Sequence, residues 1–120
     1  MAEIIWADPA IEDLDAIADY IALDKPAAAH QLVQQVLAAV EMLQKFPRMG
    51  GLPTELRGLP YRQLIVPPRR IFYRIEKKTI YIIHALRGEQ PVRRELFPSE
   101  GRVSKSPGKQ RPAGRKKRRG

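Results

Sequence analysis

Four arginines and two aromatic residues between positions 62 and 87 are the side chains best suited to chemistry. They are Arg62, Arg70, Arg74 and Arg87, with Phe72 and Tyr81 between them. The planar fork of arginine fits phosphate groups, and aromatic rings stack on nucleic-acid bases. Arginine also stabilises the negative charge that develops on phosphate during cleavage. The same residues fit a solvated sheet face held by salt bridges, so their spacing alone does not choose between these roles.

The two histidines offer a second kind of chemistry. His84 lies in the same region, and an imidazole is suited to general acid–base work near neutral pH. A hydrogen-bonded structural role is the preferred interpretation for His84, and a surface or packing role for His30. The chain has no cysteine, no metal-ligand spacing and no phosphate-binding glycine loop. We therefore expect neither a metal site nor a cofactor.

The candidate residues fall on a predicted meander of three strands, residues 61–87. Its hairpin is expected to turn at Lys77-Lys78, which would pair Glu76 with Thr79, Tyr73 with Ile82, and Arg70 with Ala85. Alternation along strands then divides the side chains between two faces. The first face is almost wholly apolar and carries Ile71, Tyr73, Ile75, Ile80, Ile82, His84 and Leu86. The second, the candidate target-binding face, carries Arg70, Phe72, Arg74, Tyr81, Ile83 and Arg87. The register across Pro67-Pro68 stays open, so Arg62 could lie on either face.

The remaining elements must cover the apolar face. Residues 3–7 predict a short strand, and two apolar stripes at helical spacing predict helices over residues 9–22 and from about residue 26 to Lys45-Phe46. Asp8 and Asp24 are expected to cap these helices. Residues 47–60 predict a loop, and residues 92–97 either a helical turn or an extended segment. We therefore predict an α+β fold in the order β-α-α-β-β-β. An antiparallel two-helix hairpin packs on one face of a small, mostly antiparallel four-stranded sheet.

Charge is distributed unevenly along the chain. Residues 1–46 hold eight acidic and two basic residues, residues 47–98 hold four and eleven, and residues 99–120 hold one and nine. This asymmetry suggests an anionic partner for the sheet side, although solvated surface explains it too. Residues 1–98 are predicted as one domain and residues 99–120 as a disordered basic tail. No apolar run reaches the length of a membrane span, and no signal peptide is visible, so we expect a cytoplasmic protein without a membrane partner.

Four stretches together resemble the RelE/ParE superfamily of type II toxins from toxin–antitoxin modules. They are IIWADPAIEDLDAIADYIALDKPAAA, LQKFPRMGGLP, YRQLIVPPRRIFYRI and IYIIHALRGEQ, which span about residues 4–97. The resemblance implies a helix hairpin on a small sheet, and growth inhibition neutralised by a cognate antitoxin within a hetero-oligomer. The antitoxin is expected to wrap the toxin with a helix and an extended segment.

The resemblance implies two possible targets. ParE-like members poison DNA gyrase without a nuclease site, and the acidic first helix, the DKPAAA start of helix 2 and the IFYRI strand look more ParE-like. RelE-like members cleave mRNA in the ribosome with basic residues on the sheet face and often a late tyrosine. In that case the candidate catalytic residues are Arg70, Arg87, Arg62 and His84. Strand 61–66 lacks lysine and no tyrosine follows Tyr81, so gyrase binding is the preferred hypothesis. A non-toxic basic nucleic-acid-binding module on the same fold is a third.

Overall fold

Two helices and four strands follow one another in the order that the sequence predicts. The computed structural model describes residues 2–98, and the predicted basic tail of residues 99–120 lies outside the described residues. The elements are β1 (Glu3–Trp6), α1 (Asp8–Ala22), α2 (Pro26–Glu41), β2 (Arg62–Val66), β3 (Arg69–Glu76) and β4 (Thr79–Arg87). Short 3-10 turns occupy Met42–Gln44, Thr54–Leu56 and Arg94–Leu96. The predicted α+β class and element order are confirmed.

The sheet has the strand order β1-β4-β3-β2, which leaves β1 and β2 at its edges. β1 runs parallel to β4, and the other two neighbouring pairs are antiparallel. Both tight turns have two residues, because Val66 pairs with Arg69 across the cis Pro67-Pro68 bond. The other turn, Lys77-Lys78, brings Lys77 to a left-handed φ of 58°. The predicted two-residue turn in the hairpin is therefore confirmed.

The helix starts differ from the sequence prediction. α1 begins after Ala7 and α2 after Lys25, and neither start has a capping hydrogen bond from the side chain at that position. Ala7 still donates its backbone N–H to the carbonyl of Ile82, so strand geometry continues up to the helix. Asp8 and Asp24 therefore do not occupy the capping positions predicted for them, because each helix starts one residue away. Within residues 2–98 no helix is long and apolar enough to cross a membrane.

Apolar side chains cover both faces of the sheet. The larger core lies between the sheet and the helices, and Trp6, Leu14, Val36 and Ile82 are among its members. A smaller core on the opposite face consists of Ala7, Leu56, Tyr61, Phe72, Ile83, Leu86 and Phe97. Leu56 comes from the loop of residues 47–60, and Phe97 from the segment of residues 92–98. These two irregular segments therefore replace the second helical layer that a larger α/β protein would have.

One extra residue in β4 changes which side chains share a face. Pairing follows the prediction from Glu76↔Thr79 to Tyr73↔Ile82, but Phe72 then pairs with His84. Ile83 has no partner of its own, which makes it a β-bulge. Beyond Ile83 the alternation is reversed, so the predicted pairings of residues 70–72 were wrong. The face assignments of His84, Leu86 and Arg87 were wrong for the same reason.

A tyrosine hydroxyl holds the loop of residues 47–60 to the sheet. The Tyr73 hydroxyl donates to the carbonyl of Pro47 at 2.7 Å and accepts the backbone N–H of Gly50 at 3.0 Å. A Cβ at Gly50 would lie 2.6 Å from the Tyr73 hydroxyl and from the carbonyl oxygen of Gln63. Only glycine therefore permits this close approach. The contact gives a physical reason for a glycine three residues after Pro47 in the stretch LQKFPRMGGLP.

The Phe97→Ala substitution tests whether residues 92–98 are an integral part of the fold. Phe97 is 1% exposed, and its ring makes edge contacts with Tyr61, Phe72 and His84. We expect the free energy of unfolding to fall by about 3–5 kcal/mol, because a buried aromatic ring is lost. Urea unfolding followed by the fluorescence of Trp6, the single tryptophan, measures this. The matched control is Leu96→Ala, which removes an exposed neighbour and should cost roughly 0.5 kcal/mol. Equal losses of unfolding free energy in the two variants would contradict an integral role of Phe97 in the fold.

Candidate functional site

Arg70 is held within the protein by its own acidic partner. Its two terminal nitrogens each donate to one carboxylate oxygen of Glu55 at 2.8 Å, and its Nε donates to Oε1 of Gln63 at 2.8 Å. Its guanidinium also lies 5.0 Å from the centre of the Phe72 ring. The hydrogen bond to Glu55 raises the pKa of Arg70. A phosphate group that used the bidentate edge of this arginine would have to displace Glu55, because both terminal nitrogens already donate to that carboxylate.

Arg74 is buried beneath the segment of residues 92–98. Its Nη1 donates to the hydroxyl of Tyr61 at 3.3 Å and to the carbonyl of Pro98 at 3.1 Å, and its Nη2 forms an ion pair with Glu76. The Tyr61 hydroxyl donates to the same carbonyl of Pro98 at 2.6 Å. Burial opposes the charge of Arg74, but the Tyr61 hydroxyl and the Glu76 carboxylate outweigh it and raise the pKa of Arg74. The side chain therefore fastens residues 92–98 to the sheet.

Arg62 and Arg87 lie on the helix side of the sheet. Arg62 pairs with Tyr73, whose ring belongs to the larger core, and its Nη1 donates to the carbonyls of Gly50 at 2.8 Å and Arg48 at 3.4 Å. Arg87 follows the bulge and lines a cleft beside α1. Its Nε is 3.5 Å from a carboxylate oxygen of Glu89, and both side chains are exposed. These two arginines are thus separated by the sheet from Arg70 and Arg74.

His84 joins β4 to α1. Its Nδ1 lies 2.8 Å from Oδ2 of Asp13, and the same oxygen accepts the backbone N–H of Ala85 at 3.0 Å. β1 ends at Trp6, opposite Ile82, so the Asp13 carboxylate replaces a strand partner at this point of the β4 edge. The ring of Phe97 packs against the imidazole with 5.2 Å between ring centres. This geometry matches the hydrogen-bonded structural role preferred for His84.

The candidate side chains do not converge on one point. Arg70, Phe72, Arg74 and Tyr81 share a face, as predicted, but that face is covered by Leu56, Tyr61 and Phe97. Arg62 and Arg87 lie on the other side of the sheet, and His84 lies between Asp13 and Phe97. In the described part of the chain no cluster of three His, Asp or Glu side chains could hold a metal ion. A target-binding role for any of these residues stays a prediction.

Three residues outside the candidate set determine where the candidate side chains lie. Glu55 occupies Arg70, Asp13 occupies His84, and the Tyr61 hydroxyl helps to bury Arg74. Each contact joins positions that are distant in sequence: Asp13 is 71 residues from His84, and Glu55 is 15 from Arg70. One signal was available in the sequence, since Glu55 is the single acidic residue in residues 47–60. Asp13 has no such signal, because α1 carries several carboxylates.

Comparison with known families agrees with this architecture. A family model described as the ParE toxin of a type II toxin–antitoxin system, parDE, matches residues 4–92. The match covers well over half of the 120-residue chain.

The chain belongs to the ParE toxin family.

Two relatives support this assignment. Toxin RelE2 of Caulobacter vibrioides is 35% identical over 91 residues, which are 72% of this chain and 99% of that protein. A solved structure described as the chromosomal ParDE TA system from P. aeruginosa has 30% sequence identity and a TM-score of 0.65. It covers 74% of this chain and 98% of that chain. The resemblance to type II toxins of the RelE/ParE superfamily is confirmed, and membership of the family implies a cognate antitoxin as partner.

The Asp13→Ala substitution tests the junction between α1 and β4 in this ParE-family chain. It leaves the Ala85 N–H without its acceptor, so we expect unfolding to require about 1–3 kcal/mol less free energy. Asp13→Asn keeps one acceptor oxygen and should recover part of the loss. The more specific measurement is hydrogen exchange of the Ala85 amide, which should accelerate in Asp13→Ala. Glu12→Ala, an exposed change one residue away, is the matched control, and exchange at Ala85 that is the same in all variants would refute the contact.

The ion pair between Glu55 and Arg70 predicts a pH dependence. The hydrogen bonds from Arg70 and from the backbone of Glu55 lower the pKa of Glu55 from 4.5 to about 2. Because the pKa is lower in the folded state, the carboxylate adds stability above pH 4.5 and loses it as the pH falls towards 2. Glu55→Gln should therefore be less stable than the parent chain at pH 7, and this difference should disappear as the pH falls through about 2. Solvent screens this side chain, which is 40% exposed, so the difference at pH 7 should be roughly 1 kcal/mol or less.

Urea unfolding at a series of pH values measures this difference. Glu95→Gln, an exposed change with no ion pair among residues 2–98, is the control for the loss of one negative charge. A difference between Glu55→Gln and the parent that does not change with pH would contradict the ion-pair interpretation.

Proposed function

We propose that this chain is the growth-inhibiting toxin of a type II pair and acts in the cytoplasm by binding DNA gyrase. Such a mechanism needs a binding surface and no nuclease site. The observation that carries the proposal is the separation of the basic side chains. Arg70 is neutralised by Glu55, Arg74 is buried under Pro98, and Arg62 and Arg87 face the opposite side of the sheet. Cleavage of RNA would require several of these groups to converge on one phosphate.

The alternative is a ribosome-dependent mRNA endonuclease. One observation favours it: the curated relative from Caulobacter vibrioides is named Toxin RelE2. Under this alternative Glu55 and the segment of residues 92–98 would have to move away before Arg70 and Arg74 could meet an RNA. The proposal of gyrase binding requires no such rearrangement. The third hypothesis, a non-toxic basic nucleic-acid-binding module, predicts neither growth arrest nor an antitoxin.

Purified protein decides between the first two mechanisms. With relaxed plasmid, ATP and gyrase, we expect supercoiling to fall as the chain is added and to recover when the antitoxin is added. Relaxation by topoisomerase I in the same buffer is the control, because a basic protein that merely coats DNA would inhibit both enzymes. Unchanged gyrase activity, together with mRNA cut on translating ribosomes, would replace the proposal by the alternative.

Expression in cells tests growth inhibition itself. Expression of the chain alone should stop growth, and co-expression of the antitoxin should restore it. Under the nuclease alternative, Arg87→Ala should abolish toxicity while circular dichroism shows the fold intact. Undiminished toxicity of Arg87→Ala would show that this arginine is not catalytic. Normal growth at a good yield of folded protein would remove both toxin mechanisms.

A further inference from the structure

A cleft of about 400 Å³ lies between α1 and the end of the sheet where β4 finishes. Its lining is mostly apolar and includes Ile17, Ile21 and Ala85, together with the two arginines Arg69 and Arg87. The exposed Tyr20 lines it as well. A pocket of this size, with a mostly apolar lining and a few polar groups, suits a ligand of one or two amino-acid side chains.

The two arginines of the cleft are a pair of like charges that the chain compensates only in part. Arg69 and Arg87 are direct cross-strand partners, a position in which like charges destabilise a sheet. Arg87 has only the exposed Glu89 near it, and Arg69 has no carboxylate within ion-pair distance among residues 2–98. The Nε of Arg69 is buried and has no hydrogen-bond partner. Burial and the charge of Arg87 lower the pKa of Arg69, and the carboxylate of Glu89 opposes this only in part. An anion bound in the cleft would offset the repulsion between the two guanidinium groups.

The surroundings of the cleft favour a single carboxylate over a nucleic acid. The carboxylate of Asp13 is part of the cleft lining, and the exposed Glu12 precedes it on α1. A phosphate backbone carries a charge at every nucleotide, so these carboxylates would repel it. A peptide carboxylate carries a single charge, so it meets less of this repulsion when it approaches the arginines. Tyr20 in the cleft lining is 75% exposed, and Leu23 at the end of α1 is 85% exposed, so apolar groups on this part of α1 are open to a partner.

We propose that this cleft binds a segment of the cognate antitoxin. In this segment one carboxylate pairs with Arg69 and Arg87, and a neighbouring aliphatic side chain packs on Ile17 and Ile21. The inference rests on the proposed function in one respect only, which is that a toxin of a type II pair has an antitoxin as its partner. It explains why two arginines stand opposite each other while, among residues 2–98, only the exposed Glu89 forms an ion pair with either of them: the partner provides the remaining negative charge.

The first test measures affinity for the antitoxin. In the full-length chain, Arg69→Gln combined with Arg87→Gln should weaken binding by at least about tenfold, because charge-assisted hydrogen bonds are lost. The matched control combines Arg57→Gln with Arg93→Gln, which removes the same charge at two exposed positions outside the cleft and should leave affinity unchanged. Urea unfolding should show the cleft variant no less stable than the parent, because it removes a repulsive pair. Equal affinity of the parent and the cleft variant would overturn the proposal, and so would loss of nucleic-acid binding with antitoxin binding intact.

The second test needs no antitoxin and separates the two proposals. The probe is 4-methylpentanoate, with its neutral amide as the control, followed by NMR of the Ala16 and Ala85 methyl groups. We expect saturable shifts with the carboxylate, and roughly tenfold weaker binding for the amide and for the cleft variant. Equal binding of acid and amide would overturn the carboxylate site. If the acid binds selectively but the chain arrests no growth, the toxin proposal fails while the cleft remains a carboxylate site.

Discussion

The bulge at Ile83 is the constraint on which the arrangement of side chains depends. Without it, strict alternation would send Leu86 towards the helices and Ala85 to the opposite face. With it, Ile82 and Ala85 enter the larger core, while Ile83 and Leu86 enter the smaller one. β4 can therefore supply apolar groups to both faces over a short length. The same shift carries Arg87 to the helix side, so one unpaired residue determines which arginines can act together.

The smaller core has no helical layer over it, so polar side-chain contacts hold its covering segments in place. The segments that cover the outer face have few backbone hydrogen bonds to the sheet, and side chains supply the rest: Arg70 to Glu55, Arg74 and Tyr61 to Pro98, and Tyr73 to Pro47 and Gly50. Exposed ion pairs contribute little, but the buried Arg74 is costly to leave without its partners. These basic and aromatic groups, which resemble a nucleic-acid surface in the sequence, are thus used largely to hold the fold together.

The limits of sequence reasoning follow from the same contacts. Hydrophobic periodicity predicts both helices, and alternation with turn residues predicts the strands, because these signals are local. Pairing from Tyr73↔Ile82 to the Lys77-Lys78 turn follows from the turn itself. A bulge has no local signature here, since Ile82, Ile83 and His84 all suit a strand. Arg69 was left out of the candidate set because its importance appears only once the shifted register places it opposite Arg87.

The arginines on the two sides of the sheet differ in how far carboxylates of the same chain neutralise them, and this difference bears on how such a protein works. On the outer face Glu55 and Glu76 neutralise Arg70 and Arg74, so that charge is already used within the chain. On the helix side Arg69 has no carboxylate partner among the described residues, and Arg87 has only a screened one. Charge that is satisfied internally contributes to folding, whereas charge left unsatisfied beside an apolar cleft contributes to association when a partner brings the opposite sign. A toxin that must be held tightly by its antitoxin gains from keeping part of its electrostatic stabilisation for the complex.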